Sequence, residues 1–217
     1  MQAVVPARPD ARFERQLLFT AGDRLDLERI LVTDEMACLW LSEVDAQGHI
    51  TAVSAFDLDD WRSALTEGAA RAFAADAAGA ALRPVYEFFL GFNDHDPARV
   101  RASLADDLVV NEHGLVGLGL VEGGDAYLES LAAFWRLVPD IRIYAGFELA
   151  REGYGGVGAI RIVGTLPEGG AFEIPNVVVQ IVARGRITRI ESFEIEDVGA
   201  ALARFEELKP DPLRKLR

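Results

Sequence analysis

The chain has 217 residues, half of them hydrophobic, which is enough to bury a sizeable core and excludes a globally disordered protein. Its formal net charge of -13 opposes binding to nucleic acid or to an anionic membrane, because both require a basic surface. The single cysteine, Cys38, excludes an internal disulfide and a thiolate zinc site. No signal-peptide pattern opens the chain and no apolar stretch approaches membrane-spanning length, so we expect a cytoplasmic protein.

The first third of the chain predicts three short strands and then a helix. Residues 1 to about 20 are mixed in character and contain two prolines, which indicates a loosely held lead-in. Strands are predicted over 25–32, 36–44 and 50–56. Asp59 or Asp60 can then cap a helix that runs to about residue 78.

The remainder of the chain predicts helices followed by a long run of sheet. The first elements are helices over 82–92, 98–105 and 125–137, with a strand over 108–113 between the second and third. Strands over 141–149, 157–165, 171–183 and 187–195 follow, and a helix over 197–208 ends the series. This order predicts an α+β fold in which a curved antiparallel sheet wraps over helices.

One stretch of the sequence occurs twice. Residues 48–56 return as residues 185–193, an offset of 137 residues (48 to 185), and the similarity extends without a gap on both sides. Such a repeat predicts one folded unit used twice, but only the second copy has enough chain before it to be complete. We therefore expect a partial repeat of strands and helix over 1–78, a complete domain over 79–208 and a tail over 209–217.

This order of elements resembles the nuclear transport factor 2-like superfamily, in its SnoaL-like branch. The stretches that carry the resemblance are residues 88–96, 104–110, 123–127 and 185–193. The resemblance implies a cone-shaped curved antiparallel sheet packed on helices, with an apolar cavity between them as the usual place for a ligand. The first copy departs from the pattern, because it has no room for the helices that fill the cone. An unpaired half-sheet needs a partner, either the complete domain or another subunit.

The resemblance does not extend to the chemistry of ketosteroid isomerases. These enzymes need a carboxylate base, together with a tyrosine and a protonated acid that hold the enolate. By position, the tyrosine falls on Phe88 and the acid falls near Val177, and neither side chain can donate a hydrogen bond. Only the base has a competent match, at Glu112. Because both oxyanion donors are missing, we do not expect isomerase activity of that type.

The resemblance to SnoaL-like cyclases implies an acidic or histidine base. The candidate catalytic residues are His113 and Glu112. On a strand, Asn111 and His113 share one face and Glu112 takes the other, so both candidates cannot point into the cavity without a bulge. The functional interpretation makes His113 the base or a ligand contact. The structural alternative is a strand-end histidine bonded to nearby loop backbone, with Glu112 as a solvated or paired surface acid.

Five further residues are candidates for ligand binding. They are Phe88, Trp135, Asn176, Glu191 and Phe193. Trp135 is alternatively part of the core, and Asn176 alternatively marks a bend after Pro175. The counterpart of Glu191 in the first copy is Ser54, so the repeat itself does not require an acid at that position.

No metal site or cofactor is expected. Asp94, His95 and Asp96 form an acidic and histidine cluster, but a helix cap with solvated charges explains it better than a metal site. The glycine pairs at 155–156 and 169–170 lie in hairpin turns and do not precede a helix, so phosphate cradles are not indicated.

The leading expectation is therefore a SnoaL-like module, either non-catalytic or of unassigned activity, that binds a small apolar ligand or mediates self-association as a homodimer. Neither nucleic acid nor a membrane is expected as a partner. The first alternative is a cyclase, isomerase or hydrolase that uses His113 as base on a polyketide-like or other hydrophobic substrate. The second alternative is a sensing or dimerisation segment of a larger regulator, in which the half-module provides the contact.

Overall fold

The computed structural model describes residues 13–32, 36–75, 77–113 and 119–210. Most of the predicted lead-in, part of the loop after the strand over 108–113 and most of the predicted tail lie outside the described residues. Within the described ranges, no helix is both long and apolar enough to cross a membrane.

A four-stranded antiparallel sheet, covered on one face by a helix, comes first. Its strands are β1 (Phe13–Ala21), β2 (Leu25–Val32), β3 (Met36–Val44) and β4 (Ile50–Phe56), paired in chain order. Helix α1 (Trp61–Ala75) and the short helix α2 (Ala77–Ala81) follow. The Ser63 N–H donates to Asp60 Oδ1 at 3.3 Å, so Asp60 caps the first turn of α1. The three predicted strands and this helix are confirmed.

The second part of the chain forms a six-stranded sheet with helices on both faces. Its elements are α3 (Arg83–Asn93), α4 (Pro97–Ser103), β5 (Leu104–Glu112), β6 (Leu120–Glu122), α5 (Gly124–Leu137), β7 (Arg142–Glu152), β8 (Gly155–Thr165), β9 (Ala171–Ala183), β10 (Arg186–Glu194) and α6 (Val198–Glu207). The strand order is β6-β5-β10-β9-β8-β7, and all pairs are antiparallel except β5 with β10. The predicted α+β fold, with a curved antiparallel sheet on helices, is confirmed.

Strand alternation gives this sheet an inner face toward α3 and α5 and an outer face toward α6. The inner face carries Leu108, Val110, Ile160, Val178 and Ile190. The outer face carries Val157, Val177, Val179, Ile181 and Phe193, which pack against Ala201 and Phe205 of α6. Because the two faces hold separate hydrophobic clusters, the direction of each polar side chain decides which of two environments it enters.

The N-terminal sheet shares the core of the second part. One hydrophobic cluster joins Phe19, Leu27 and Leu41 of the N-terminal sheet to Tyr86 of α3. The ring of Tyr86 meets Phe19 edge-to-face at 6.2 Å and meets Phe73 of α1 in the same way at 5.1 Å. The half-sheet is therefore packed against the second part within the chain.

Strand β1 occupies the place of the loosely held lead-in, so that prediction is wrong for residues 13 to 20. The Glu148 N–H of β7 donates to Thr20 Oγ1 at 3.1 Å, and the Gly22 N–H donates to Glu148 Oε1 at 2.8 Å. β1 thus lies between β2 and the edge of β7, which it protects from pairing with other chains. These long-range neighbours order a segment whose own composition is mixed.

The two similar sequence segments form similar local structures. Thr51 follows the first residue of β4 and Thr188 lies at the corresponding place in β10, and each marks a shift of register against the preceding strand. Helix α1 begins at Trp61 and α6 begins at Val198, which keeps the offset between the two copies.

Candidate functional site

The inner face ends in polar side chains where β5 and β10 finish and where β7 and β9 begin. We call this the open end of the cone. Glu112 follows Leu108 and Val110 on the inner face of β5, and it pairs across the sheet with Ser192 of β10. Glu112 is half-buried. The open end therefore places a carboxylate at the boundary between the packed core and solvent.

Tyr127 of α5 lies within electrostatic range of this carboxylate. Its ring stacks on Phe88 with the centroids 6.2 Å apart and the planes 9° from parallel. Burial, and secondly the Glu112 carboxylate, raise the pKa of the Tyr127 hydroxyl well above its ordinary value. The hydroxyl thus stays protonated at every physiological pH. It stands beside Phe88, the position at which the isomerase resemblance lacks a hydroxyl.

Trp135, two turns further along α5, brings an unsatisfied donor to the same end. Its ring packs against Phe92 at 5.7 Å and stacks on His95 at 5.3 Å. Its Nε1 atom is buried and has no hydrogen-bond partner within the described part of the chain. A buried N–H without an acceptor costs about 1–3 kcal/mol, so Trp135 is partly a core residue and partly a vacant donor.

Exposed apolar side chains occur on the same helix and on the inner face of β9. Asn176 is half-buried on the inner face of β9, across from Ile160 and Glu194. Ile174 shares that face by alternation and is 47% exposed, and Phe134 of α5 is 38% exposed. The open end therefore carries both exposed apolar surface and polar groups, which are the two components of a ligand site.

His113 lies on the opposite side of the sheet from Glu112. Its ring stacks on Phe193 of the outer face, with the centroids 4.3 Å apart. Its Nε2 lies 2.9 Å from Glu191 Oε2 and 3.1 Å from Asn111 Nδ2. The side chain therefore faces α6 and does not face the interior of the cone. The alternative of a strand-end histidine bonded to loop backbone is not observed either, because the partner of the imidazole is a carboxylate of β10.

Glu191 is a fully buried carboxylate surrounded by cations. Arg204 Nε of α6 donates to Oε2 at 2.9 Å, and Arg189 Nη1 donates to Oε1 at 2.8 Å. Burial alone would raise the pKa of the Glu191 carboxyl, but the hydrogen bonds from Arg204, His113 and Arg189 lower it to about 2. The same pairing raises the pKa of Arg204. Glu191 is thus an anion at neutral pH, with hydrogen bonds to both of its oxygens.

The structure divides the predicted site residues into two groups. Phe88, Trp135, Asn176 and Glu112 border the inner side, whereas His113, Glu191 and Phe193 meet under α6. Residues of the second group hold α6 on the sheet and have no access to the interior. Val177 is the residue to which the resemblance assigned the hydrogen-bonding acid of the isomerases. It is fully buried on the outer face and does not reach the interior.

Sequence reasoning missed Tyr127 as a site residue. The signal was present in the helical spacing, because Tyr127 lies four residues before Leu131 and eight before Trp135 and so shares their inward face. Among the described residues no group of three or more His, Cys, Asp or Glu side chains is placed to hold a metal ion.

Comparison with known proteins finds a family that is similar to this part of the chain. Residues 85–190 match the family model of the SnoaL-like domain. This agrees with the resemblance that the sequence indicated. This family includes polyketide cyclases and isomerases. No curated protein sequence matches the chain.

Solved structures with a similar fold resemble only part of the chain. TerC co-crystallised with polyporic acid is 19% identical, with a TM-score of 0.47, over 57% of this chain and 98% of that chain. The putative SnoaL-like polyketide cyclase from Jannaschia sp. CCS1 is 17% identical, with a TM-score of 0.47, over 63% and 97%. RV0760c from Mycobacterium tuberculosis in complex with estradiol-17beta-hemisuccinate is 15% identical, with a TM-score of 0.48, over 54% and 95%.

Proposed function

We propose that this SnoaL-like domain binds a small, mainly apolar molecule at the open end of the cone. The observation that carries the proposal is the buried Nε1 of Trp135, which has no acceptor among the described residues. If the side chains that cover this donor move aside, a carbonyl or hydroxyl oxygen on a ligand would satisfy it. The exposed side chains of Ile174 and Phe134 would contact the apolar body. Such a molecule binds through one directed hydrogen bond and burial of apolar surface.

A neutral aromatic ketone, 2-tetralone, is a suitable probe because it joins an apolar body to one acceptor oxygen. In a chain whose only tryptophan is Trp135 (Trp40→Phe with Trp61→Phe), we expect saturable changes in tryptophan fluorescence as 2-tetralone is added. In the intact chain, Trp135→Phe should weaken binding about tenfold, measured by calorimetry, since one hydrogen bond is lost. The matched control is Trp40→Phe, which should bind as the intact chain does.

Two outcomes would sink this proposal. One is equal affinity of the Trp135→Phe and Trp40→Phe variants for 2-tetralone. The other is a fluorescence change in a chain that keeps only Trp61, with no change in the chain that keeps only Trp135.

Acid–base catalysis is the second candidate, and the placement of Glu112 favours it. The sequence alternative made His113 the base, but Glu112 is the carboxylate that borders the inner face, and the Tyr127 hydroxyl lies within electrostatic range of it. Such a pair suits proton removal next to a carbonyl, with Glu112 as base and Tyr127 as hydrogen-bond donor. The test is exchange of the α-protons of 2-tetralone in D2O, followed by NMR. Exchange that is unchanged in Glu112→Gln would exclude this role.

Self-association is the third candidate. The face of the N-terminal sheet that α1 leaves uncovered carries Leu17 and Val53, which are 38% and 41% exposed. A homodimer of a cytoplasmic protein through this face would follow the sequence expectation. Light scattering coupled to size exclusion should then give twice the mass of one chain, and Val53→Asp should halve it. A monomer at micromolar concentration excludes this candidate.

A further inference from the structure

A groove of about 350 Å³ lies where the N-terminal sheet and the start of α1 meet β7 and β8. Its lining residues are Gln16, Leu18, Arg29, Leu39, Leu58, Trp61, Tyr144 and Arg161. The volume lies at the lower end of the range of small-molecule sites, about 300–1,000 Å³. Both parts of the chain build this groove, so it depends on the N-terminal sheet and is separate from the open end of the cone.

Aromatic and aliphatic side chains form the walls of the groove. The rings of Trp61 and Tyr144 meet edge-to-face, with the centroids 5.0 Å apart and the planes 85° apart. Leu18 and Leu39 lie beside them and also contact the main core. These walls suit a flat or compact apolar body, because aromatic faces offer large contact area at low entropic cost.

Two arginines give the groove a positive charge in a chain whose formal net charge is -13. Arg29 is half-buried and makes no ion pair with any described residue. The guanidinium of Arg161 lies over the Tyr144 ring at 5.9 Å, and its ion pair with Glu173 Oε1 is long, at 3.5 Å. No carboxylate is among the described residues that line the groove. The charge of the groove therefore favours an anion.

Trp61 adds a second kind of donor to this positive charge. Its Nε1 is buried and has no hydrogen-bond partner within the described ranges. An N–H in this state is costly unless a ligand supplies the acceptor. The groove thus combines two guanidinium groups with aromatic walls, and one of these walls carries the buried N–H of Trp61. None of the described residues that line the groove is acidic.

We propose that this groove binds a small monocarboxylate with an aromatic or alicyclic body. The carboxylate pairs with Arg29 and Arg161. The indole N–H of Trp61 donates to an oxygen of the ligand once the side chains that cover it move aside. The apolar body packs against Tyr144 and Leu39. Arginine suits this role because its planar donors match the two oxygens of a carboxylate. This inference does not depend on ligand binding at the open end.

The probe for the test is 1-naphthylacetate, titrated by calorimetry into the full chain. We expect saturable binding, about tenfold weaker for Arg29→Met and for Arg161→Met, since each loses one charge-assisted hydrogen bond. The matched control is Arg24→Met, which removes the same charge from an exposed turn. Its nearest ion-pair partner there is Asp23, at 3.9 Å. The neutral amide of the probe should bind about tenfold more weakly than the acid, and Arg29→Lys should lose less affinity than Arg29→Met.

Fluorescence assigns the site of binding. A chain that keeps Trp61 as its only tryptophan should respond to 1-naphthylacetate, and a chain that keeps only Trp135 should not respond. The proposal is overturned if no saturable binding occurs up to millimolar probe, if Arg29→Met and Arg24→Met bind equally, or if the amide binds as tightly as the acid. A response of Trp135 alone would also overturn it, because the probe would then occupy the open end.

Discussion

Arg204 holds helix α6 on the sheet through both carboxylate oxygens of Glu191. Its Nε donates to Oε2 at 2.9 Å and its Nη2 donates to Oε1 at 3.0 Å. The similar N-terminal segment has a polar pair at the positions 137 residues earlier (191 to 54 and 204 to 67), since the Ser54 hydroxyl of β4 donates to Glu67 Oε1 of α1 at 2.6 Å. In both segments a polar bond joins strand and helix, although the chemistry of the two partners differs.

The first prediction concerns the charge of Glu191. Glu191→Gln keeps the shape of the side chain but leaves Arg204 and Arg189 without a buried anion, so we expect the free energy of unfolding to fall by about 3 kcal/mol at pH 7. Urea unfolding followed by circular dichroism measures it. The control is Glu207→Gln, because Glu207 also accepts from Arg204, at 2.9 Å, but is 66% exposed. That variant should lose less than about 1 kcal/mol. Equal losses would refute a special role for the buried charge.

The second prediction concerns the stability of the folded chain at acidic pH. The pKa of Glu191 is lower in the folded chain, about 2, than its ordinary value of 4.5 in an unfolded chain. Its contribution to stability is therefore fully present above about pH 4.5 and is lost as the pH falls toward 2, by on the order of 3 kcal/mol. The free energy of unfolding, measured with urea, should change less between pH 5.5 and pH 3 in Glu191→Gln than in the native chain. Identical differences in the two proteins would contradict the assignment.

Local sequence patterns predicted most elements but not the environment of the site residues. Alternation correctly separated Asn111 and His113 from Glu112, because that relation depends only on the strand. Which face meets the interior depends on partners far away in the chain. The partner of His113, Glu191, is 78 residues distant. The same limit applies to β1, which is held in place by hydrogen bonds to β7, and to the groove, where Trp61 meets Tyr144.

The third prediction concerns a close approach between two strands. A Cβ added at Gly155 would lie 2.2 Å from the Gln180 carbonyl oxygen, so Gly155→Ala forces β8 and β9 apart. We expect a loss of more than about 2 kcal/mol in the free energy of unfolding. The control is Gly153→Ala in the neighbouring turn, where nothing lies within 4 Å of the added atom. That variant should change stability by about 0.5 kcal/mol or less, and a loss as large as that of Gly155→Ala would show that the close approach is not the cause.

The fourth prediction concerns the dependence of the second part of the chain on the N-terminal sheet. Tyr86 is covered by Phe19 of β1 and by Phe73 of α1, and both lie in the core that joins the two sheets. A chain that starts at residue 79 would expose Tyr86 together with the edge of β7, which β1 covers. We therefore expect this shortened chain to melt at least about 10 °C lower and to bind a hydrophobic dye, compared with the full chain. Phe19→Ala in the full chain should lose about 3–5 kcal/mol by the same reasoning. If the shortened chain melts at the same temperature and binds no dye, the sequence expectation of a complete domain over 79–208 would hold, and the shared core would contribute nothing that this domain needs.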